Sequence, residues 1–555
     1  MAASHTNNNI LSGLAGADLP EPQQKAYLEG HDADIPTDIA LAKPRQSHEH
    51  DSEKSAPQSR TTFVDESLNS TVPSADDDEQ DPNIVYWSSP DDAANPQNWP
   101  ASTKWTQIAI LSALTFLTPL ASSMFAPGVP ELMREFETSS SVLATLVVSI
   151  YVLGFAFGPL VIAPLSELYG RLWVYHTCNL GFIGFTIACG RAQSMGELCV
   201  YRFLQGVWGV CPVTIGGGTI ADMMPPEKRG GAMSIWALGP MLGPVVGPVC
   251  GGFLTEAKSW RWIFYVIAMC TAVLAIPAFF ILRETYGPVL LERKAARLRK
   301  AANNPNLRSK LDNGLTPKQL FLRAIVRPTK MLFLSPICGL MSLYLAIVYG
   351  FLYLLFTTFT FVFKDNYNFG PSIVGLVYIG IGLGNFIGLA VLGAISDRLA
   401  KALALKDQKR NGGTGGDGKI KPEYRLPPLI YAGPLIPIGL IIYGWTAQYH
   451  IQWAVPIFGT LLVGIGLIAC FMSINTYLVD TFHIYAASAL AANTVLRSIL
   501  GGVFPLFGLQ MYDGLGLGWG NSLLAFVALA MCPIPWVFYH YGERIRTHPK
   551  WQVQF

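Results

Sequence analysis

The stretch ALGPMLGPVVGPVCGGF (residues 237–253) is apolar throughout, yet it has glycine at every fourth position from Gly239 to Gly251 and proline at every fourth position from Pro240 to Pro248. Both residues are poor helix formers in water. In a bilayer, where backbone polar groups must be satisfied internally, an apolar run of this length still forms a helix. Glycines four apart share one helix face and let a second helix approach closely. The stretch therefore predicts a membrane helix with a tightly packed seam, bent by its prolines.

The composition of the whole chain is that of a membrane protein. Of its 555 residues 51% are hydrophobic and only 14% are charged, and the mean hydropathy is +0.35. A soluble domain carries about 25% charged residues. Twelve apolar runs are each long enough to cross a bilayer as a helix. These predicted spans lie at about 105–126, 142–165, 173–192, 199–222, 231–254, 261–282, 332–361, 372–395, 427–446, 452–478, 486–511 and 519–540.

The longest gap between spans separates the sixth from the seventh, so the chain divides into two halves. The sequence predicts a disordered tail over 1–100, which is too poor in aliphatic residues to fold alone, a six-helix half over 101–283, a basic central loop over 284–330, a second half over 331–541 and a short tail over 542–555. SELYGR ends span 2, and SDRLAK ends span 8. This internal repeat is typical of transporters with a central site between related halves.

Lysine and arginine are distributed unevenly over the loops. With the N-terminus in the cytoplasm, the inside loops and tails hold most of the 39 Lys and Arg residues, including ERKAARLRK (292–300) of the central loop. The outside loops keep Arg134, Arg191, Lys258, Arg261 and Lys364. Because cytoplasmic loops carry the excess of positive charge, we expect both termini to be cytoplasmic.

Several functional classes are disfavoured. No basic tract would follow a phosphate backbone, so nucleic-acid binding is not expected. The cysteines have neither CxxC spacing nor a neighbouring histidine, which predicts no metal site. GTGGDGKI (413–420) lacks the Ser or Thr that holds magnesium in a phosphate-binding loop. No nucleophile–base pair lies within the spans, so we expect no cofactor and no enzyme activity.

Several motifs resemble those of a known family. GPVVGPVCGG (243–252) resembles the GxxxGPxxGG signature of antiporters in the major facilitator superfamily, and APLSELYGR (163–171) resembles the loop motif after the second span of that superfamily. YRFLQGVWG (201–209) is similar to its fourth-span RxxQG motif, and FLTPLASSMFAPGVP (116–130) to the first-span motif of twelve-span drug–proton antiporters. NPQNWP, SWRWIFYV and RETYGPVLLERKA are similar to the fungal members of that branch. The signature residues here are Gly243, Gly247, Pro248, Gly251 and Gly252.

The resemblance implies an all-α membrane protein with the major facilitator fold, twelve transmembrane helices in two six-helix halves. It also implies a role in proton coupling for Arg202 and Gln205 of the fourth-span motif. Arg202 is a candidate from its position alone, because a cation in an apolar helix must be paired or face water. The alternative is a side chain that reaches the outer headgroups. An arginine does not release a proton near neutral pH, so it would act on a partner.

Arg497 is a second charge within a span, and it is a candidate for proton coupling on the same ground. Pairing with an acidic residue at a gate is the alternative. No Asp or Glu lies in the middle of a predicted span, so the proton-carrying residue is left unassigned.

Charged residues at the predicted cytoplasmic ends of the spans suggest a gate. We expect Glu167 and Asp222 to pair with Arg171 or Arg229, in an ion-pair network that locks one conformation. The gating candidates are Glu167, Gly170, Arg171, Asp222, Asp397 and Arg398.

Polar and aromatic residues near the middle of the spans predict a substrate cavity between the halves. Aromatic walls suit large amphipathic compounds, including cations that lie over a ring. For the aromatic residues of span 7 the alternative is contact with lipid. The cavity candidates are Gln107, Ser122 and Ser123 in span 1, Tyr349, Tyr353 and Phe356 in span 7, Asn385 in span 8 and Asn493 in span 11.

The expected function is therefore proton-driven export of amphipathic small molecules, such as drugs, toxins or secondary metabolites, by a monomer. Its partners would be the substrate, protons and the lipid bilayer. The resemblance implies a fungal cell and the plasma membrane, with the vacuolar membrane as an alternative. Proton-coupled uptake on the same fold, or a sensor that does not transport, are the alternative functions.

Overall fold

The computed structural model describes residues 83–311, 314, 316–410 and 421–548. Twelve helices in this part of the chain are long and apolar enough to cross a membrane, which confirms the predicted all-α architecture. Their buried apolar side chains form a cluster that runs through both halves. Spans 1 to 12 are, in order, Ala101–Glu135, Ser141–Tyr169, Arg171–Arg191, Met195–Met223, Lys228–Ala257, Trp260–Ile281, Pro336–Tyr367, Pro371–Asp407, Pro422–Gln448, Ala454–Phe482, Ala486–Val503 and Pro505–Thr547.

The reversal between the last two membrane crossings lies at Gly516 rather than at the helix boundary near Phe504. Gly516 has φ 76° and ψ 168°, a conformation that glycine adopts without strain. The Tyr512 hydroxyl donates to Asn521 Oδ1 at 3.0 Å. A straight helix would separate residues nine apart by about 13 Å. The chain therefore turns at Gly516, between the predicted spans 486–511 and 519–540.

The glycine row of span 5 packs directly on the backbone of span 1. A Cβ atom built on Gly239 would lie 2.9 Å from the amide nitrogen of Phe116, and one on Gly243 would lie 2.7 Å from that of Leu120. No side chain tolerates so short an approach to backbone, so only glycine fits. The helix Pro226–Ala257 runs unbroken through its three internal prolines. The predicted seam is therefore present and joins spans 1 and 5; the predicted bend stays a prediction.

A second seam joins the two halves. We call the membrane side that carries residues 282–335 the central-loop side and the opposite side the far side. Near the far side, a Cβ on Gly252 of span 5 would overlap the carbonyl oxygen of Pro371 in span 8. A Cβ on Gly375 of span 8 would likewise overlap the carbonyl oxygen of Pro248. Two backbones from different halves are thus in direct contact, and the seam between the halves is closed at the far side.

Residues 83–100 are ordered and pack on the central loop. Strand β1 (Ile84–Val85) pairs in parallel with strand β2 (Arg308–Ser309) of that loop. Lys294 Nζ donates to the carbonyl oxygen of Tyr86 at 3.0 Å and to Ser88 Oγ at 2.7 Å. The prediction of a disordered tail is therefore wrong for residues 83–100, because backbone pairing with another segment replaces the aliphatic core that they lack.

The central loop itself contains two helices. The first loop helix is Gly287–Ala302, and the second loop helix is Pro317–Leu334, which begins with a capping box on Thr316. The predicted tail over residues 1–82, residues 549–555 of the C-terminal tail and the GTGGDGKI segment lie outside the described residues.

Deleting Met1–Gln80 is expected to leave transport and membrane insertion unchanged, because strand β1 and its contacts remain. Deleting Met1–Trp99 removes β1 and the acceptors of Lys294, and we expect less folded protein at the membrane. Both truncations would be compared by their transport rates in cells and by size-exclusion chromatography of the detergent-solubilised protein. Equal behaviour of the two truncations would show that the contacts of residues 83–100 contribute nothing.

Candidate functional site

Arg202 of span 4 is enclosed by backbone carbonyl groups, with no exposed surface. Its guanidinium donates to the carbonyl oxygens of Ala121 at 2.9 Å, Ser122 at 3.2 Å and Val147 at 3.2 Å, and to Gln205 Oε1 at 3.1 Å. The first helix of span 1 ends at Ser123, so its last carbonyls have no partner within the helix. The alternative that Arg202 reaches the headgroups is therefore wrong.

Aromatic rings cover the remaining surface of the Arg202 guanidinium. Its central carbon lies 4.7 Å from the ring centroid of Tyr151 and 5.7 Å from those of Phe125 and Phe264. Within the described part of the chain no carboxylate pairs with it. Dipoles and ring faces thus stabilise a permanent charge in the first half. Gln205 extends the network, since its Nε2 donates to Thr186 Oγ1 at 2.8 Å.

Arg171 connects the ends of three segments on the central-loop side. Its Nε lies 3.2 Å from Asp222 Oδ2 of span 4, and its Nη1 donates to Ser166 Oγ of span 2 at 2.7 Å. The guanidinium lies 4.6 Å from the ring centroid of Tyr286, just after span 6. Burial raises the pKa of Tyr286, so its hydroxyl stays protonated at neutral pH. The expected pairing of Asp222 with Arg171 is present, whereas Arg229 donates to the carbonyls of Ala221 and Met224.

Glu284 completes this cluster, although sequence reasoning missed it. Its buried carboxylate accepts hydrogen bonds from the amides of Arg171 at 2.9 Å and Leu172 at 3.2 Å, the first residues of span 3. Gly170 precedes them with φ 94°, and a Cβ there would lie 2.6 Å from Glu284 Cδ. Glu284 therefore caps the helix with a negative charge at its positive end. The only signal was its place in RETYGPVLLERKA.

Glu167 does not form the predicted ion pair. Its side chain is exposed and makes no hydrogen bond to a described residue, although the charges of Arg171 and Arg323 attract it. Arg323 belongs to the second loop helix, which leads into the second half.

The counterpart of the Arg171–Asp222 pair in the second half is Arg425–Asp480, with Nε 3.0 Å from Oδ2. Arg425 lies near the start of span 9 and Asp480 near the end of span 10, matching the places of Arg171 and Asp222 in spans 3 and 4. The predicted counterpart, Arg398, is exposed and makes no contact of this kind with the described residues. The side chain of Asp397 lies outside the described part of the structure.

Asp222→Asn is expected to reduce transport strongly. The neutral amide no longer balances the charge of Arg171, and breaking a buried ion pair leaves the remaining charge uncompensated. Asp480→Asn is the matched change in the second half. Initial rates of export and thermal stability would be measured for both. Wild-type rates in both variants would rule out a role for these pairs in the transport cycle.

Three aromatic residues of span 7 form a continuous row of tilted and edge-to-face ring contacts inside the protein, which we call the aromatic stack. The ring centroids of Tyr349 and Tyr353 lie 5.1 Å apart and those of Tyr353 and Phe356 lie 5.7 Å apart. Tyr353 is 3% exposed and Phe356 1%. The Tyr353 hydroxyl lies 3.2 Å from Ser122 Oγ of the first half. The alternative of lipid contact is therefore wrong for Tyr353 and Phe356, which lie at the interface between the halves.

Two predicted cavity residues lie elsewhere. Ser123 points into the seam with span 5, where a Cβ on Gly247 would lie 2.6 Å from its Oγ. Gln107 lies near the central-loop end of span 1, and its Oε1 accepts from the backbone amide of Arg283 at 3.3 Å. At about 1.5 Å per residue this is some 22 Å along the helix from Ser122. Of the span 1 candidates, Ser122 alone is brought to the aromatic stack.

The remaining candidates belong to the second half. Asn493 Nδ2 donates to Asn475 Oδ1 of span 10 at 2.9 Å. Arg497 lies one turn further along the same helix, 4.7 Å from the ring centroid of Tyr349 and 5.2 Å from that of Phe471. Asn385 packs against span 10, and its side-chain oxygen is buried without a hydrogen-bond partner. Arg497 thus joins the aromatic stack of span 7, whereas Asn493 pairs with span 10.

Comparison with known proteins is consistent with this architecture. A family model described as Major Facilitator Superfamily matches residues 111–505. The chain is 54% identical over 540 residues to the efflux pump radE of Floropilus chiversii, covering 97% of this chain and 98% of that protein. It is 56% identical over 476 residues to the MFS-type transporter penM of Penicillium rubens, covering 86% and 92%.

Solved structures of low sequence identity share the fold. The xylose transporter XylE from E. coli in an inward open conformation superimposes with a TM-score of 0.56 at 14% identity, covering 77% of this chain and 95% of that one. A bacterial homologue of the human lysosomal transporter Spinster, in an inward-facing conformation, gives a TM-score of 0.55 at 15% identity, covering 82% and 100%.

Proposed function

Because the chain belongs to the major facilitator superfamily, we propose that it is a proton-coupled antiporter that exports amphipathic small molecules by alternating access. The observation that carries this proposal is that the glycine signature of span 5 packs on the second half as well as on span 1. Gly252 brings span 5 of one half against the backbone of span 8 in the other half. A contact that depends on glycine alone can close tightly and separate again, because no side chains interdigitate across it.

The direction of transport rests on the relatives and on charge. The similar protein of Floropilus chiversii is named an efflux pump. The basic central loop supports a cytoplasmic location for the central-loop side, because cytoplasmic loops carry the excess of positive charge. With the far side closed, a substrate site between the halves would be loaded from the cytoplasm, which is the state in which an exporter takes up its substrate. We propose the plasma membrane as the location, with the vacuolar membrane as the alternative, and a monomer as the working unit.

The charged clusters serve as supports and gates in this scheme. Each ion-pair cluster lies within one half, so it keeps that half rigid while the two halves move against each other. The clusters are Arg171–Asp222 with Glu284, and Arg425–Asp480. Glu167 has no ion-pair partner among the described residues, and it lies near Arg323 of the segment that links the halves. We place a pairing of Glu167 across the halves in the opposite state, when the central-loop side closes.

Proton coupling is assigned to the network of Arg202, Gln205 and Thr186. The permanent charge of Arg202 cannot itself carry the proton. It sets the electrostatic potential at the interface between the halves, because its acceptors Ala121 and Ser122 lie in the segment of span 1 that faces Tyr353. A change in that segment as the halves move would alter the potential felt by a proton or a charged substrate.

The test is accumulation of fluorescent amphipathic dyes in yeast stripped of its own pumps, with and without this protein. A protonophore is added in parallel. Lower accumulation that the protonophore abolishes is the expected result. Accumulation that rises with the protein would contradict export, and a lowering that survives the protonophore would contradict proton coupling.

A further inference from the structure

Arg497 differs from Arg202 in having no hydrogen-bond acceptor among the described residues. The Nε of Arg497 is buried without a hydrogen-bond partner, and the residue forms neither a hydrogen bond nor an ion pair with any described residue. Its two neighbours are ring faces, Tyr349 on span 7 and Phe471 on span 10. Ring faces stabilise the charge but take none of the five N–H groups. The guanidinium is thus held in position with its donors free.

Among the described residues, no acidic side chain forms a hydrogen bond or an ion pair with Arg497. Arg202 and Arg497 both lie several residues inside their spans. Arg202 is already saturated by carbonyl oxygens. The charge that remains available at the interface between the halves is therefore positive, which favours an anion over the cations that aromatic walls alone would suit.

Arg497 also lies where a transported compound would pass. One turn further along span 11, a Cβ on Gly501 would lie 2.9 Å from Tyr349 and 3.3 Å from Val152 of the first half. The Tyr349 ring contacts the Tyr353 ring, and the Tyr353 hydroxyl in turn contacts Ser122 of the first half. One turn before Arg497, the Oδ1 of Asn493 is buried without a partner. The region beside the interface between the halves thus contains a cation with free donors, Arg497, an unpaired acceptor, Asn493 Oδ1, and the aromatic stack of span 7.

We propose that Arg497 binds the acidic group of the exported compound, so that the substrates are amphipathic aromatic anions with a carboxylate or an ionised phenol. This inference rests on the proposed function and names its substrate class. The planar guanidinium forms paired hydrogen bonds with a carboxylate. Tyr349 and Phe471 stack on the aromatic part, and Asn493 Oδ1 accepts from a hydroxyl of the substrate.

The test measures binding to the purified full-length protein in detergent by fluorescence anisotropy. The probes are fluorescein, which is anionic, and rhodamine 123, which is cationic and has the same tricyclic frame. The wild type is expected to bind fluorescein more tightly than rhodamine 123. In Arg497→Gln the affinity for fluorescein should fall about 10- to 100-fold, the usual effect of losing charge-assisted hydrogen bonds, while rhodamine 123 binds no more weakly. Arg497→Lys should restore part of the affinity.

Arg544→Gln is the control, because it removes one exposed positive charge whose side chain forms no hydrogen bond or ion pair with a described residue. Unchanged fluorescein binding in Arg497→Gln, an equal loss for both dyes, or tighter binding of rhodamine 123 by the wild type would each overturn the proposal. Failure of the proposed function looks different. Cells would then not export fluorescein, although the purified protein still binds it through Arg497.

Discussion

Arg202→Ala is expected to abolish export while the protein still inserts into the membrane. The substitution removes a charge that holds carbonyl oxygens of spans 1 and 2 to span 4, so three helices of one half lose their common partner. Hydrogen bonds to a charged group contribute about 1.5–3 kcal/mol each. The freed carbonyls of Ala121 and Ser122 lie in the segment that meets Tyr353 across the halves. Loss of Arg202 therefore affects the seam as well as the first half.

A structural loss must be separated from a loss of coupling. Arg261→Ala is the matched control, since Arg261 also donates to backbone carbonyls, those of Gly190 at 3.2 Å and Ala192 at 2.7 Å, but lies at the far end of span 6. We expect both variants to lower the melting temperature, and only Arg202→Ala to stop export. Arg202→Lys keeps the charge with fewer donors and should export at an intermediate rate. Normal export by a well-expressed Arg202→Ala variant would contradict the assignment of coupling to this network.

Gly247→Leu is expected to stop transport by forcing spans 1 and 5 apart. A Cβ at this position would already lie 2.6 Å from Ser123 Oγ and 2.8 Å from the carbonyl oxygen of Leu120, and a leucine adds three further carbons. Overpacking of a tight site costs about 1–3 kcal/mol or more. The separation also displaces the carbonyls that bind Arg202, because Ala121 and Ser122 lie between the two contact points on span 1.

Gly231→Leu is the control within the same span, since no atom lies within 4 Å of a Cβ built there. It should transport as the wild type does, and its melting temperature should be unchanged. Gly247→Leu should show a lower melting temperature and no export. If Gly247→Leu transported normally, its face of span 5 would have to contact lipid and the seam with span 1 would be refuted.

The sequence predicted the spans and the glycine seam of span 5 because membrane insertion leaves few choices. A backbone in lipid must be helical, so length and hydropathy identify each crossing. Glycines four apart leave one face without side chains, and Gly239 and Gly243 do meet span 1 there. The identity of the partner helix was not in the pattern. Neither was Gly375, whose contact with Pro248 depends on how the two halves meet.

The site was predicted less completely, for reasons of helix phase and tertiary pairing. Ser122 and Ser123 differ by about 100° around the helix, and only the structure shows that Ser122 faces Tyr353 and Ser123 faces Gly247. Glu284 caps a helix more than a hundred residues earlier, which no local signal encodes. The sequence similarity of SELYGR and SDRLAK does not indicate the Arg425–Asp480 pair. The pair corresponds to Arg171–Asp222 by position at the span ends, not by a shared motif.

Exchange of protons for an amphipathic compound can be measured in proteoliposomes with an imposed pH gradient. Vesicles loaded at acidic pH and diluted into neutral buffer are given the fluorescent substrate, with Arg202→Ala vesicles as the inactive control. For an antiporter, protons that leave the vesicles are expected to drive accumulation of the substrate inside, and a protonophore is expected to abolish this accumulation. Accumulation only in vesicles with an alkaline interior, or accumulation independent of the gradient, would contradict antiport.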